Sequence, residues 1–453
     1  MPNYFAYMML LLWPVISVFI FNRFKTSEAV VVNIIAGYLL MPVGVSIDLP
    51  LIPPLDKESI LALTSLVGAR ATFKGKITLL PSHILARTFT LVLLCIPLIN
   101  VFTNSEMMFN GRSWIQSLSL YDGLSAFIGR YLSILPFILG IQVLRTDEER
   151  LFLFKAIVIG ALLYSVLVLF EIRMSPQLHT WVYGFFPHSF GQQVRFGGFR
   201  AVVFLGHGLT VALFLFIALG SATILTLKSE MVMGLKATAI VFYLLIVLIL
   251  SKSVAPIIYS ILFIIAVKLL MSKTMLFSRL LMMLVIAYPL LSILQIFPHD
   301  ALLELADLIS SDRAQSLGFR FYNETLLLEH ALQKPILGWG GWGRNLLAGS
   351  TIDGTWIIIV GVAGFIGFIT FFGLPYISVY HAGLAYNTAI NKMSGHLLAA
   401  HALLVTLIMV DQLPNSSMKG YIWLIIGSLL GGAIHMINES KLNNTPSSVA
   451  IRE

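Results

Sequence analysis

The chain is a succession of long apolar runs joined by short polar connections, with two long polar stretches, residues 172–200 and 298–353, as exceptions. The runs lie near 4–21, 29–47, 58–69, 88–103, 122–144, 152–171, 201–225, 237–251, 254–271, 280–297, 354–378, 395–411 and 419–436. They are continuous rather than alternating, and a helix needs roughly 20 apolar residues to cross a hydrocarbon layer, so the pattern predicts membrane-spanning helices. Helices also satisfy their own backbone groups where water is absent. The third run, 58–69, is short for a crossing and is expected to be tilted, re-entrant or extended into Ala71–Phe73. The first has no basic residue before it and no small-residue cleavage pattern after it, so it reads as a retained anchor.

Composition agrees with the pattern. With 58% hydrophobic and 11% charged residues and a mean hydropathy of +0.90, the chain has too little polar surface to cover a soluble globule. The expected fold is all-α, a polytopic integral membrane protein of about 12–13 transmembrane helices with a large helical periplasmic loop. Residues 1–436 form a single transmembrane domain, and 437–453 are expected to be a disordered cytoplasmic tail. A lone cysteine, Cys95, excludes intramolecular disulfides and cysteine-based metal clusters. The net charge of +8 reads as basic cytoplasmic connections rather than a nucleic-acid surface. Of the 29 Lys and Arg, 17 lie in the connections 23–28, 70–87, 145–155, 228–236, 268–279, 379–394 and after 437. The other side holds 12, of which 7 belong to the two long stretches. Basic residues mark the cytoplasmic side, so the stretches are expected to face outward.

Both stretches carry candidate chemistry. In the first, Arg195 and Arg200 flank Gly197 and Gly198, which would present two guanidiniums near the membrane surface. Guanidinium donates paired hydrogen bonds and stays charged, which suits a diphosphate; lipid headgroup binding or bracing of the loop is the plainer alternative. His207 follows, as a packed polar residue or a base. In the second, 301–309 has amphipathic spacing and a helix is expected over 312–333, ended by Pro335 and GWGGWGRN. Arg313 and Arg320, seven apart, share a face. Glu324 stands where an ordinary surface ion pair with Arg320 would form. Asp353 and Trp356 stand at the mouth of the next run, where Asp353 is either a general base or a helix N-cap.

Two cations lie nearer the interior. Arg130, inside the run 122–144, is expected to face a polar cavity or an acidic partner. Lys252 occupies a tight turn as an interfacial lysine or a substrate contact. Glu171 and Asp411 fall at run ends and read as water-reaching side chains, while Gly427/Gly431 and Gly361/Gly364/Gly367 read as close helix packing. No Asp-x-Asp, P-loop, HExxH or G-x-S-x-G pattern occurs, which argues against ATP-driven transport, zinc proteolysis and hydrolase chemistry; no metal or cofactor is expected.

The order RFGGFRAVVFLGHG, the SKS turn, RFYNETLLLEHALQKPILGWG and DGTWIIIVGVAGFIG resembles the O-antigen ligase and O-antigen polymerase superfamily of bacterial surface-polysaccharide enzymes, over roughly residues 88–436. The resemblance implies an inner-membrane glycosyltransferase that takes an undecaprenyl-diphosphate-linked glycan as donor at the periplasmic face and passes it to a glycan or lipid-linked acceptor. It further implies that Arg200 or Arg195, with Arg320, binds the diphosphate, and that Asp353 serves as base with His330 or His207 as substitutes. Lys252 stands where ligases often place an arginine, and Asp353 where they typically place a histidine. The rival expectations are a flippase for lipid-linked sugars, against which the absence of repeats and broken helices counts, and a non-catalytic subunit of a polysaccharide assembly complex.

Overall fold

The computed structural model describes residues 1–48, 53–195, 197–308 and 311–444, apart from the side chains of Asp312, Arg313 and Asn444. Its helices are α1 (Tyr4–Arg23), α2 (Thr26–Leu40), α3 (Lys57–Thr72), α4 (Ile84–Thr103), α5 (Leu120–Val143) and α6 (Asp147–Met174). The short α7 (Leu178–Tyr183) precedes α8 (Gly208–Thr226), α9 (Ala237–Leu250), α10 (Val254–Leu269) and α11 (Thr274–Ile293). After them come α12 (His299–Asp307), α13 (Ser311–Ala331), α14 (Thr355–Thr388), α15 (Lys392–Asp411) and α16 (Gly420–Asn444). Among the described residues the only strands are four two-residue hairpins.

Among the described residues nine helices, α1, α4, α5, α6, α8, α11, α14, α15 and α16, are long and apolar enough to cross a membrane, and α2, α9 and α10 are shorter apolar helices. The protein is therefore an all-α, multi-pass membrane protein. Several helices begin where the sequence supplies a cap. Ser119 with Asp122 starts α5 and Thr146 with Glu149 starts α6, each a reciprocal capping box. Glycines let α5 and α16 pack backbone to backbone: a Cβ on Gly427 would lie 2.2 Å from the Phe137 carbonyl oxygen, and one on Gly431 2.7 Å from that of Ile141. That pair does what its spacing suggests.

Contacts sort the connections into two ends. At one end Thr26 meets Thr72, Lys155 pairs with Glu230 at 2.9 Å, and His83 meets His381. At the other, Asn3 bonds the Tyr183 carbonyl, Lys57 bonds that of Phe204, and Lys419 pairs with Glu58 at 2.9 Å. Both long polar stretches belong to the second end. The 58–69 run is the heart of α3, which extends through Thr72 and joins the two ends.

Two expectations change. α16 continues helically to Asn444, into the segment read as a disordered tail, while residues 445–453 lie outside the described part. More important, α14 is broken. Gly364 has φ 64° and ψ −167°, a conformation only glycine adopts without strain. The loop that precedes α14 docks into the break: Phe365 and Ile366 N–H groups donate to the Pro335 and Ile336 carbonyls, and Trp339 and Gly340 N–H groups donate to those of Gly361 and Val362. The Gly361/Gly364/Gly367 series thus admits a loop rather than only a neighbouring helix. Backbone groups freed from α14 are satisfied by protein, as irregular structure at membrane depth requires.

Candidate functional site

Three groups of the expected residues emerge, and they do not all meet. The first is a corner around Arg200. A hairpin pairs Val194–Arg195 with Gly198–Phe199, and Gly197 takes φ +67° at its turn. Lys252, itself at φ 57° in the turn between α9 and α10, closes onto this hairpin. Its Nζ donates to the Arg195 carbonyl at 3.3 Å, and Arg200 Nη2 donates to the Lys252 carbonyl at 3.2 Å. Three cations are thereby held together where α8 and α10 begin. The carboxylate that fixes this corner is Glu171. It is fully buried and accepts from the N–H groups of Leu178, Val202 and Val203 at 2.9, 2.7 and 2.8 Å, so it does not reach water as a run-end residue would.

His207 belongs to the corner as scaffold. It is the N-cap of α8: Nδ1 accepts from the Leu209 N–H, which places the proton on Nε2, facing Gln192 Oε1 at 3.3 Å. Burial, followed by the charges of His188, Arg200 and Arg195, pushes its imidazole down to about 4. With its free lone pair already used, His207 is unavailable as a base.

The second group surrounds a cavity of about 190 Å³ between α11, α13 and the start of α14. Arg320 and Asp353 both line it, with Nε and Oδ2 3.4 Å apart. Asp353 is not the N-cap of α14. That position is Gly354, where a Cβ would lie 2.3 Å from the Leu413 carbonyl oxygen, so only glycine fits and the carboxylate one residue earlier is left to Arg320. Glu324 also lines the cavity and forms no ion pair with Arg320, which overturns the surface-pair expectation. Its carboxylate instead receives the Tyr288 hydroxyl, 2.7 and 2.9 Å from its two oxygens, and lies 4.0 Å from His299 Nε2. Trp356 is fully buried and stacks edge-on against Tyr288, its indole N–H near Glu324 without closing a hydrogen bond. Burial holds the Glu324 carboxyl up at about 7, against the opposing pull of Tyr288, Trp356 and Ser292.

The two groups share the same end of the bundle. The first lies where α8 and α10 begin and the second where α14 begins. Asp411 is buried and bonded to Asn415 and Ser417, so it too is not the water-reaching residue expected. The side chain of Arg313 lies outside the described residues.

Arg130 forms the third group. It lines a separate cavity of about 80 Å³ with Asn100, Asp122 and Gly340–Trp342, beside the loop that enters the break in α14. The lining of this cavity is mostly apolar, with Asn100 and Asp122 as the other polar side chains, and Arg320 is not among the residues that line it. His330 is elsewhere again: it is buried, stacks on Trp339 at 4.6 Å and 7°, and places Nε2 2.9 Å from the Arg344 carbonyl oxygen. It braces the glycine-rich loop and is not among the residues lining either cavity.

Sequence reasoning missed Glu324, Tyr288 and His299 as a unit. The visible signal was weak: a tyrosine in the last turns of one run and an acid one helical turn beyond an arginine. Among the described residues no three His, Cys, Asp or Glu side chains gather as a metal site would require. No protein-family model matches the chain, and a comparison with curated proteins returns no match.

Proposed function

We propose that the protein is a membrane glycosyltransferase of the O-antigen ligase and polymerase type, transferring or polymerising an undecaprenyl-diphosphate-linked glycan at the periplasmic face of a bacterial inner membrane. The observation that carries this reading is the placement of Arg195, Arg200, Lys252 and Arg320 at one end of a multi-pass bundle, with Arg320 over a cavity that also holds carboxylates. Such donors suit a diphosphate that gains negative charge as it leaves. In this reading the chain crosses the bilayer thirteen times, α3 included, with its N-terminus outside. The outer loop then sits partly within the outer leaflet, docked at Gly364.

The arginines would bind the diphosphate and stabilise its departure as an acceptor hydroxyl attacks the anomeric carbon. A single in-line displacement would invert that carbon. Asp353, paired with Arg320, fits the role of holding the guanidinium in place. A transport reading finds support in the break of α14, since broken helices at membrane depth often line transport sites. The backbone groups of this break are, however, occupied by 335–340, which favours catalysis.

The test is a purified assay with lipid-linked donor. Arg200→Ala and Arg320→Ala should each abolish transfer at near-normal protein levels, and Arg200→Lys should recover only part, because a point charge lacks the paired contacts. Full transfer by both alanine variants would refute the reading in favour of a non-catalytic subunit. Translocation of donor without transfer would establish the transporter.

A further inference from the structure

We propose that Glu324 is the group that takes the proton from the acceptor hydroxyl, an inference that rests on the glycosyltransferase reading. The cavity presents two carboxylates in unlike surroundings. Asp353 is paired with the Arg320 guanidinium at 3.4 Å, so its carboxylate is engaged in holding that cation. Glu324 forms no ion pair with a lysine or arginine among the described residues, and its side chain is only 14% exposed. Unlike environments for neighbouring acids are how one site divides its roles.

The groups facing Glu324 come from four directions. Tyr288 and Ser292 reach it from α11, His299 from α12 with Asp300 beside it, Arg320 lies one turn earlier on α13, and Trp356 approaches from α14 near Asp353. Tyr288 donates to it directly. Three further buried polar atoms around it, Ser292 Oγ, Trp356 Nε1 and His299 Nε2, make no hydrogen bond among the described residues. Buried polar atoms are rarely left so, and their convergence on one carboxylate beside a cavity describes a place built to receive a hydroxyl. Arg320 on the same helix would hold the diphosphate one turn away, which puts proton removal and charge stabilisation on a single rigid element.

The step balances. The acceptor oxygen forms its bond to the anomeric carbon as the carbon–oxygen bond to the diphosphate breaks, and the electron pair leaves on the diphosphate. The hydroxyl proton passes to Glu324 and from there to water. Glu324 works only when ionised. Because burial holds its carboxyl at about 7, turnover should rise with pH through that value.

The experiment measures transfer from lipid-linked donor by full-length protein in nanodiscs between pH 5.5 and 9. The parent should show an acidic limb near pH 7. Glu324→Gln should lower kcat at least about 100-fold, with donor KM changed little and the limb gone. Tyr288→Phe removes a donor that favours the ionised form, so the limb of whatever activity it retains should move to higher pH; this variant preserves the test should Glu324→Gln fold poorly. Asp353→Asn should retain the limb. Parental turnover in Glu324→Gln, or an unmoved limb in Tyr288→Phe, would overturn the assignment while leaving the glycosyltransferase reading intact. A parent that transfers nothing at any pH would remove that reading, and the assignment with it.

Discussion

Glu171→Gln offers a sharp test of how the arginine corner is held. One carboxylate oxygen accepts from Leu178 and the other from both Val202 and Val203, all within 2.9 Å, and Phe204 continues the segment by donating to the Tyr164 hydroxyl. Arg200 lies two residues before Val202, so these bonds fix where its guanidinium starts. A glutamine has the same shape but only one acceptor oxygen. If that oxygen keeps Val202 and Val203, its amide nitrogen faces the Leu178 N–H, donor against donor. The loss is at least one charge-assisted hydrogen bond, about 1.5–3 kcal/mol, with a buried N–H left unmatched. Glu171→Ala strands all three donors and should cost roughly two to three times as much. Thermal unfolding of detergent-purified protein should show a midpoint lowered by about 2–4 °C or more in Glu171→Gln, further in Glu171→Ala, and unchanged in Glu148→Gln, an exposed acid at the opposite end. Transfer should fall in the same order. Glu171→Gln with parental midpoint and parental transfer would refute the claim that this carboxylate positions Arg200.

Other outcomes follow from the same geometry. Glu324→Gln should stabilise the protein at pH 8 while lowering activity: a carboxyl held at about 7 rather than 4.5 is ionised there at a cost of roughly 3 kcal/mol, a cost absent below pH 4.5, and a melt at pH 8 showing no gain over the parent would contradict this. Asp353→Ala should shift stability by less than about 1 kcal/mol, since the pair with Arg320 is one-third exposed or more on each side and Gly354, not Asp353, caps α14; a larger loss in a denaturation series would restore the capping role. Gly364→Ala should uncouple the loop that precedes α14, because its Cβ would lie 2.3 Å from the Ile336 carbonyl in a left-handed backbone, and limited proteolysis near residue 340 should accelerate; unchanged cleavage would count against the docking. With Cys95 replaced, cysteines at Ser189 and Leu326 should react with an impermeant thiol reagent in cells with a permeabilised outer membrane and one at Ser229 should not; labelling at Ser229 alone would reverse the orientation.

What was legible in the sequence is what repeats along it. Apolar runs mark their helices because hydrophobicity accumulates over many residues, and even α12 and α13 lie close to the expected 301–309 and 312–333. Arg195, Arg200 and Lys252 were readable as a shared corner only in part: the glycines signal a turn, but that the Lys252 amine closes on the Arg195 carbonyl depends on packing across 57 positions. Single residues at run ends were the least legible. Glu171 and Asp411 look like side chains reaching for water, and burial with matched donors becomes visible only when the loops fold back.

The site shows why local spacing misleads at such positions. Arg320 and Glu324 are one helical turn apart, so spacing offers an ion pair worth a few tenths of a kcal/mol. Asp353 and Tyr288 win the competition because each arrives from another element: Asp353 takes the guanidinium at 3.4 Å, and Tyr288, 36 positions away, takes the carboxylate at 2.7 Å. Gly354 enforces the outcome, since the Leu413 carbonyl excludes any Cβ at the cap and leaves Asp353 to turn toward Arg320. One side chain is thereby ion-paired and the other bonded to a phenol hydroxyl. An arginine and a carboxylate held one turn apart yet separately partnered can act on two different atoms of a reaction, which a simple i,i+4 pair cannot.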